Sequence, residues 1–285
     1  MNKSKLTNNI FEIPKPLIFT SRFLQSVSNN LASRFLAHIF ETPPKFKVPE
    51  REITFRKSAQ SEVLAIPSIQ KEIMVYSYGY SKSKVLLLHG WSGRGSQLYH
   101  LADKILENRM MVVSVDAPAH GLSTGKKTNM LEYIQVIEEV DKKYGPFDYA
   151  IGHSWGGMAL INSLGKKLKL KKAVTIGADN KVSEVISEFV KKFQVSESVV
   201  PVIIDHYCKL LKVQMDQFDS EKVAARIDIP VLVVHDTKDV FVPVSSAIAI
   251  RQKLKNGSLL ITNGLGHHKI FKDPEVIQKI INFIQ

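Results

Sequence analysis

Between Leu17 and Phe40 the apolar residues Phe19, Phe23, Val27, Leu31, Phe35 and Ile39 return every fourth position, with Arg22, Ser26, Asn30 and Arg34 between them. This spacing predicts an amphipathic helix. The prolines of TPPKFKVPER then end it in an extended linker, so residues 1–52 read as an N-terminal helix and linker. A helix packed on the rest of the chain is the favoured reading. Contact with a membrane surface through residues 17–40 is the alternative.

Beyond Ile53 the period changes. SEVLAIPS and KEIMVYSYG predict a β-hairpin. Short runs rich in Val, Leu and Ile follow at 84–90, 110–116, 147–154, 172–178, 229–236 and 258–264. They are apolar on both faces, as strands of a covered parallel sheet are. Helical patterns such as SQLYHLADKILEN, MLEYIQVIEEVDKKY, GMALINSLGKKLKL and PEVIQKIINFI fill most gaps. The alternation predicts a doubly wound, mostly parallel α/β sheet with helices on both faces. One gap, of about 50 residues between Ala178 and Ile229, is too long for a simple crossover and carries further helical patterns. Residues 180–228 are therefore expected to form a helical lid inserted between the sixth and seventh strands of a domain spanning 53–285.

Composition narrows the class. With 44% hydrophobic and 23% charged residues the chain is expected to be globular. Its formal charge of +12 raises the question of nucleic acid. The lysines fall largely in pairs on helical patterns, such as Lys142-Lys143 and Lys191-Lys192, which reads as solvated faces, and no aromatic residues interleave them. No nucleic-acid partner is expected. The single cysteine, Cys208, excludes an internal disulfide framework and reads as a packing residue. No apolar run reaches the roughly 18 residues of a membrane span, and the N-terminal PLIF is too short for a signal peptide. The expected location is cytoplasmic.

The chemistry centres on YAIGHSWGGMAL, where Ser154 stands between a buried strand and a helix, flanked by Gly152 and Gly156. G-x-S-x-G in that context holds a serine on a sharp turn, with its hydroxyl projecting beside a helix N-terminus. A serine hydroxyl needs a base, and the base needs an orienting acid. Later strand ends supply Asp236 or Asp239, then His267 or His268. An oxyanion would be met by the backbone N–H of Trp155 and, from LLLHGWSGRG, that of Trp91. Both tryptophans are also expected to line an apolar substrate pocket. The glycines after position 89 match neither phosphate-loop pattern, and the histidines form no metal motif; neither metal nor cofactor is expected.

With HGW, DAPAHGLS, GHSWGG, HDTKDVFVP and GLGHHKI in this order, the chain resembles the α/β-hydrolase fold superfamily. The first 50 residues lie outside that core and resemble the leader helix of a group of bacterial members. The resemblance implies Ser154 as nucleophile and Asp239 as acid, since the family's acid stands a few residues before a proline, here Pro243. It implies His267 as base, directly after Gly266. Asp236 then caps its loop, Asp179 matches the acid of a minority of lipases, His268 lines the mouth or faces solvent, and His89, His120 and His153 support turns. The implied function is a serine hydrolase cleaving a carboxylic ester of a small or medium apolar acyl substrate. A thioesterase, peptidase or amidase would use the same triad, and a non-catalytic or membrane-associated binding protein could keep the fold.

Overall fold

The computed structural model describes residues 13–285. Two compact units are present, and they do not follow chain order. One joins the described residues up to Phe40 with Val182–Asp216; the other comprises Glu41–Lys181 and Gln217–Gln285.

The first unit contains helices α1 (Lys15–Val27) and α2 (Asn29–Phe40). The sequence pattern suggests one helix here, but Ser28 divides it. Ser28 is extended (φ −166°, ψ 133°), its N–H donates to the Leu24 carbonyl at the end of α1, and its Oγ accepts from Asn30 N at the start of α2. Serine and asparagine favour such caps over helix interiors because their side chains compete for the backbone. The face the pattern marks for packing is also turned the other way: Phe19, Phe23 and Val27 are exposed, while Ser21, Ala32, Ser33, Leu36 and Ala37 are buried. The serine hydroxyls are satisfied inside the helices, Ser21 on the Leu17 carbonyl and Ser33 on that of Asn30.

The second unit begins with a short helix, α3 (Ile53–Ser58), and the antiparallel hairpin β1 (Gln60–Ile66) and β2 (Lys71–Tyr78). Next come β3 (Lys84–Leu88), α4 (Tyr99–Glu107), β4 (Met111–Val115), α5 (Met130–Tyr144), β5 (Tyr149–His153), α6 (Trp155–Leu164) and β6 (Lys172–Ile176). The insertion then contributes α7 (Val182–Lys192) and α8 (Val200–Leu211) to the first unit. There Tyr207 Oη donates to the Ala37 carbonyl, and the rings of Phe40 and Phe189 meet edge-on. The chain resumes with α9 (Ser220–Ala224), β7 (Val231–Asp236), α10 (Val244–Lys253), β8 (Gly257–Thr262), α11 (Gly266–Lys269) and α12 (Pro274–Ile284).

The eight strands lie in the order β1-β2-β4-β3-β5-β6-β7-β8, parallel from β4 to β8. Because successive side chains point to opposite faces, the central strands feed two cores. Leu86, Leu88, Ala150 and Val233 join α5, α6 and α10 on one face, whereas Val85, Leu87, Ile151 and Val234 join α4 and α12 on the other. Caps start the flanking helices: Asn129 accepts from Glu132 N before α5, and Asp273 accepts from Glu275 N and Val276 N before α12. The order reverses at β3, which lies between β4 and β5, and a crevice at the carboxyl ends of such strands is where open α/β sheets bind ligands.

Candidate active site

Ser154 follows β5 with φ 53° and ψ −122°. A non-glycine residue held there carries on the order of 1–3 kcal/mol of backbone strain, which surrounding contacts must offset. They are local and strong: Ser154 N donates to the Ile176 carbonyl at 2.8 Å, and its own carbonyl accepts from Gly157 and Met158. The turn is also tight. A Cβ at Gly156 would lie 2.5 Å from the carbonyl oxygens of Leu88 and His89, and one at Gly152 would lie 2.5 Å from the Gly156 oxygen. The start of α6 thus rests directly on the end of β3.

His267 and Asp239 meet at the ends of the next strands. Asp239 Oδ2 accepts from His267 Nδ1 at 2.6 Å, while its Oδ1 accepts from the N–H groups of Phe241 and Val242. Burial pushes the Asp239 carboxyl up, but the hydrogen bond and charge of His267 and the two backbone N–H groups outweigh it, leaving the group below its ordinary value. Asp236 has a different occupation. It accepts from Lys238 N, Gly264 N, Leu265 N and Thr262 Oγ1, pinning the loops after β7 and β8 together. Burial opposes its ionisation, yet these donors hold it down to about 2. Asp179 follows β6, where its carbonyl accepts from Ser220 Oγ.

Ser154 reaches this pair through its neighbours. His153 Nε2–H donates to the His267 carbonyl, with the two rings 4.7 Å apart. Gly177, next to the Ile176 that holds Ser154 N, lies against His267 and Asp239. The Ser154 hydroxyl itself has no hydrogen-bond partner among the described residues.

On the other side of Ser154 stands the loop after β3. A Cβ at Gly90 would lie 2.9 Å from Ser154 Cβ, so this backbone passes against the serine and carries Trp91 next to it. The Trp155 N–H is the first of α6 and has no acceptor within the helix. The Trp91 and Trp155 rings meet edge-on at 5.0 Å, both close to His120, with Tyr133 beneath Trp155 at 4.7 Å.

Two buried histidines brace this loop. His89 Nδ1–H donates to the Gly90 carbonyl and Nε2 accepts from Ala117 N; His120 Nδ1–H donates to the Pro118 carbonyl and Nε2 accepts from Ser92 N. A backbone N–H can only donate, so these partners set both tautomers. Burial pushes His89 down to about 4 and His120 to about 3, so both are neutral at pH 7. Asp116 joins the same loops by accepting from Gly95 N, Leu122 N and Tyr76 Oη.

Sequence reasoning missed two contributors. Glu52 makes a buried two-point ion pair with Arg94 and accepts from Ser96, tying the segment before α3 to the loop after β3. His235, fully buried, donates from Nε2 to the Val242 carbonyl, and that nitrogen lies 3.6 Å from Asp239 Oδ2. A polar residue at the buried end of an otherwise apolar strand was its only signal. His268 is half-buried beside Phe241 and His153, and burial and the neighbouring His267 push it down to about 4. Among the described residues no group of three or more His, Cys, Asp or Glu side chains is placed to hold a metal ion.

Residues 85–277 match the alpha/beta hydrolase family. The chain belongs to that family. This hydrolase also resembles many solved structures at low identity. An esterase from Exiguobacterium antarcticum is 17% identical with a TM-score of 0.63, covering 79% of this chain and 99% of its own. A bromoperoxidase from Bacillus anthracis is 17% identical with a TM-score of 0.62, covering 79% and 99%. A bacterial membrane phospholipase A is 18% identical with a TM-score of 0.62, covering 94% and 91%. Such differing names on one fold show that chemistry is set by the site. No curated protein matches the sequence.

Proposed function

We propose that the protein is a serine hydrolase that cleaves a carboxylic ester of a small or medium apolar acyl substrate. The observation carrying this reading is the His267–Asp239 pair at 2.6 Å, linked through His153 to a serine held at positive φ on a strand-to-helix turn. In the proposed reaction Ser154 Oγ attacks the ester carbonyl as His267 Nε2 takes its proton. Asp239 keeps the imidazole oriented through Nδ1–H and stabilises its cationic form. The N–H groups of Trp91 and Trp155 meet the developing oxyanion. His267 then returns the proton to the departing alcohol, and water hydrolyses the acyl-enzyme by the same relay. The paired tryptophan rings favour an apolar acyl or alcohol group, and the esterase among the structural neighbours fits the same reaction class.

A fluorophosphonate probe tests the mechanism. It is expected to label the native protein and not Ser154→Ala, whose hydrolysis of an aryl ester falls by about 10⁴-fold or more. Equal labelling of both proteins would refute the assignment. A parallel panel of esters, thioesters and amides with increasing acyl length separates the ester reading from a thioesterase or amidase.

A further inference from the structure

Helix α1 presents three of its large apolar side chains to solvent. Phe19 is 74% exposed, Phe23 59% and Val27 61%. At a spacing of four they line one side of the helix. Single exposed hydrophobes need no explanation, whereas a contiguous row marks an interaction surface. The row is also the part of the amphipathic pattern that internal packing leaves unused, since the buried positions of α1 and α2 are mostly small.

The charge around the row selects its partner. Residues 13–40 contain Lys15, Arg22 and Arg34 and no aspartate or glutamate. Within the same unit, acidic residues of the insertion are engaged by its own lysines: Glu188 and Glu197 by Lys191, and Asp205 by Lys209. A second copy of the chain on this face would gather Lys15 and Arg22 of both helices into one contact with no acid from residues 13–40 to pair them. An anionic lipid surface meets both needs at once: the rings enter the acyl boundary while the cations stay on headgroup phosphates. From Phe19 to Val27 the row is about 12 Å long at the helical rise. That suits a helix lying in the interface, and among the described residues no helix is long and apolar enough to cross a membrane.

We propose that α1 is a docking surface for anionic lipid bilayers, with Phe19, Phe23 and Val27 inserted at the acyl boundary and Lys15 and Arg22 on the headgroup phosphates. The contact is peripheral, reversible and weakened by salt.

Flotation of the full-length protein with vesicles tests this, using phosphatidylcholine alone and phosphatidylcholine mixed with phosphatidylglycerol. The native protein is expected to float with the mixed vesicles and to be released by high salt. The double variant Phe19→Ser/Phe23→Ser is expected to bind about tenfold more weakly or worse, and Arg22→Glu to lose the preference for anionic lipid. Both substitutions are at exposed positions, and unchanged circular dichroism and ester hydrolysis would show the fold intact. Equal flotation of native and double-variant protein would overturn the proposal. So would a concentration-dependent dimer abolished by the same variant without any vesicle binding, or binding that appears only after removal of residues 1–12.

Discussion

Acidification should unfold this protein through histidines that cannot accept a proton in the native state. In an unfolded chain each imidazole titrates near 6.5, whereas burial holds His89 at about 4 and His120 at about 3. Above 6.5 both states are neutral, and the stability tied to these rings is fully present. As pH falls through 6.5 the unfolded state gains protons that the native state refuses, and stability is lost down towards the native values. At pH 5 each ring then accounts for about 2 kcal/mol, and the two together for about 4 kcal/mol relative to neutral pH. Both rings are almost fully buried, so solvent screening does not reduce this. Urea unfolding at pH 7 and pH 5, followed by the emission of Trp91 and Trp155, measures the loss. The informative variant is His120→Gln, whose side-chain carbonyl can accept from Ser92 N without titrating. It is expected to be less stable than the native protein at pH 7 yet to lose about 2 kcal/mol less on going to pH 5. His153, also held low by burial, contributes equally to both proteins. An unchanged pH difference in His120→Gln would refute the reasoning.

The two carboxylates after β7 should separate by readout. Asp239→Asn is expected to lower kcat by roughly 10⁴-fold in folded molecules, because it frees His267 to adopt the wrong tautomer. Asp236→Asn removes charge from an acceptor of four hydrogen bonds and should cost about 2–4 kcal/mol in urea unfolding while folded molecules stay active. Comparable losses of kcat in both variants would sink the distinction. At the elbow, Gly156→Ala drives a methyl group against the β3 backbone and should cost roughly 3 kcal/mol or more, seen as a large drop in Tm or a failure to fold. A normal Tm would mean that α6 does not sit on β3 so closely.

Much of the fold was written in the residues because central strands buried on both faces must be continuous runs of Val, Leu and Ile. The segment around Ser154 could likewise be placed where β5 gives way to α6, since only glycine clears a neighbouring backbone there. Asp236 and Asp239 are harder to tell apart by their letters, as one ends β7 and the other stands just beyond it. What separates them is the path of the loop, which turns one Asp239 oxygen onto Phe241 N and Val242 N and the other onto His267. The Glu52–Arg94 pair joins residues far apart in sequence, and no local pattern announces such a contact. Periodicity in α1 shows that a face exists but not which side of it is wet. Its outward Phe19 and Phe23 became visible only once the small residues were seen to do the packing.

The N-terminal helices and the insertion make one unit from two distant pieces of chain, and this sets a rule for recombination. Every candidate reacting group lies in the other unit, so exchanging the pair of segments between relatives replaces none of those residues. The two segments must travel together, however. Grafting a foreign 182–216 alone would leave Leu36 and Ala37 facing a surface never shaped for them, and Tyr207 would take with it the hydroxyl that closes the Ala37 carbonyl. Inheritance of the insertion is thereby coupled to inheritance of the N-terminus, and chimaeras should be cut at Phe40 as well as at the insertion's own ends.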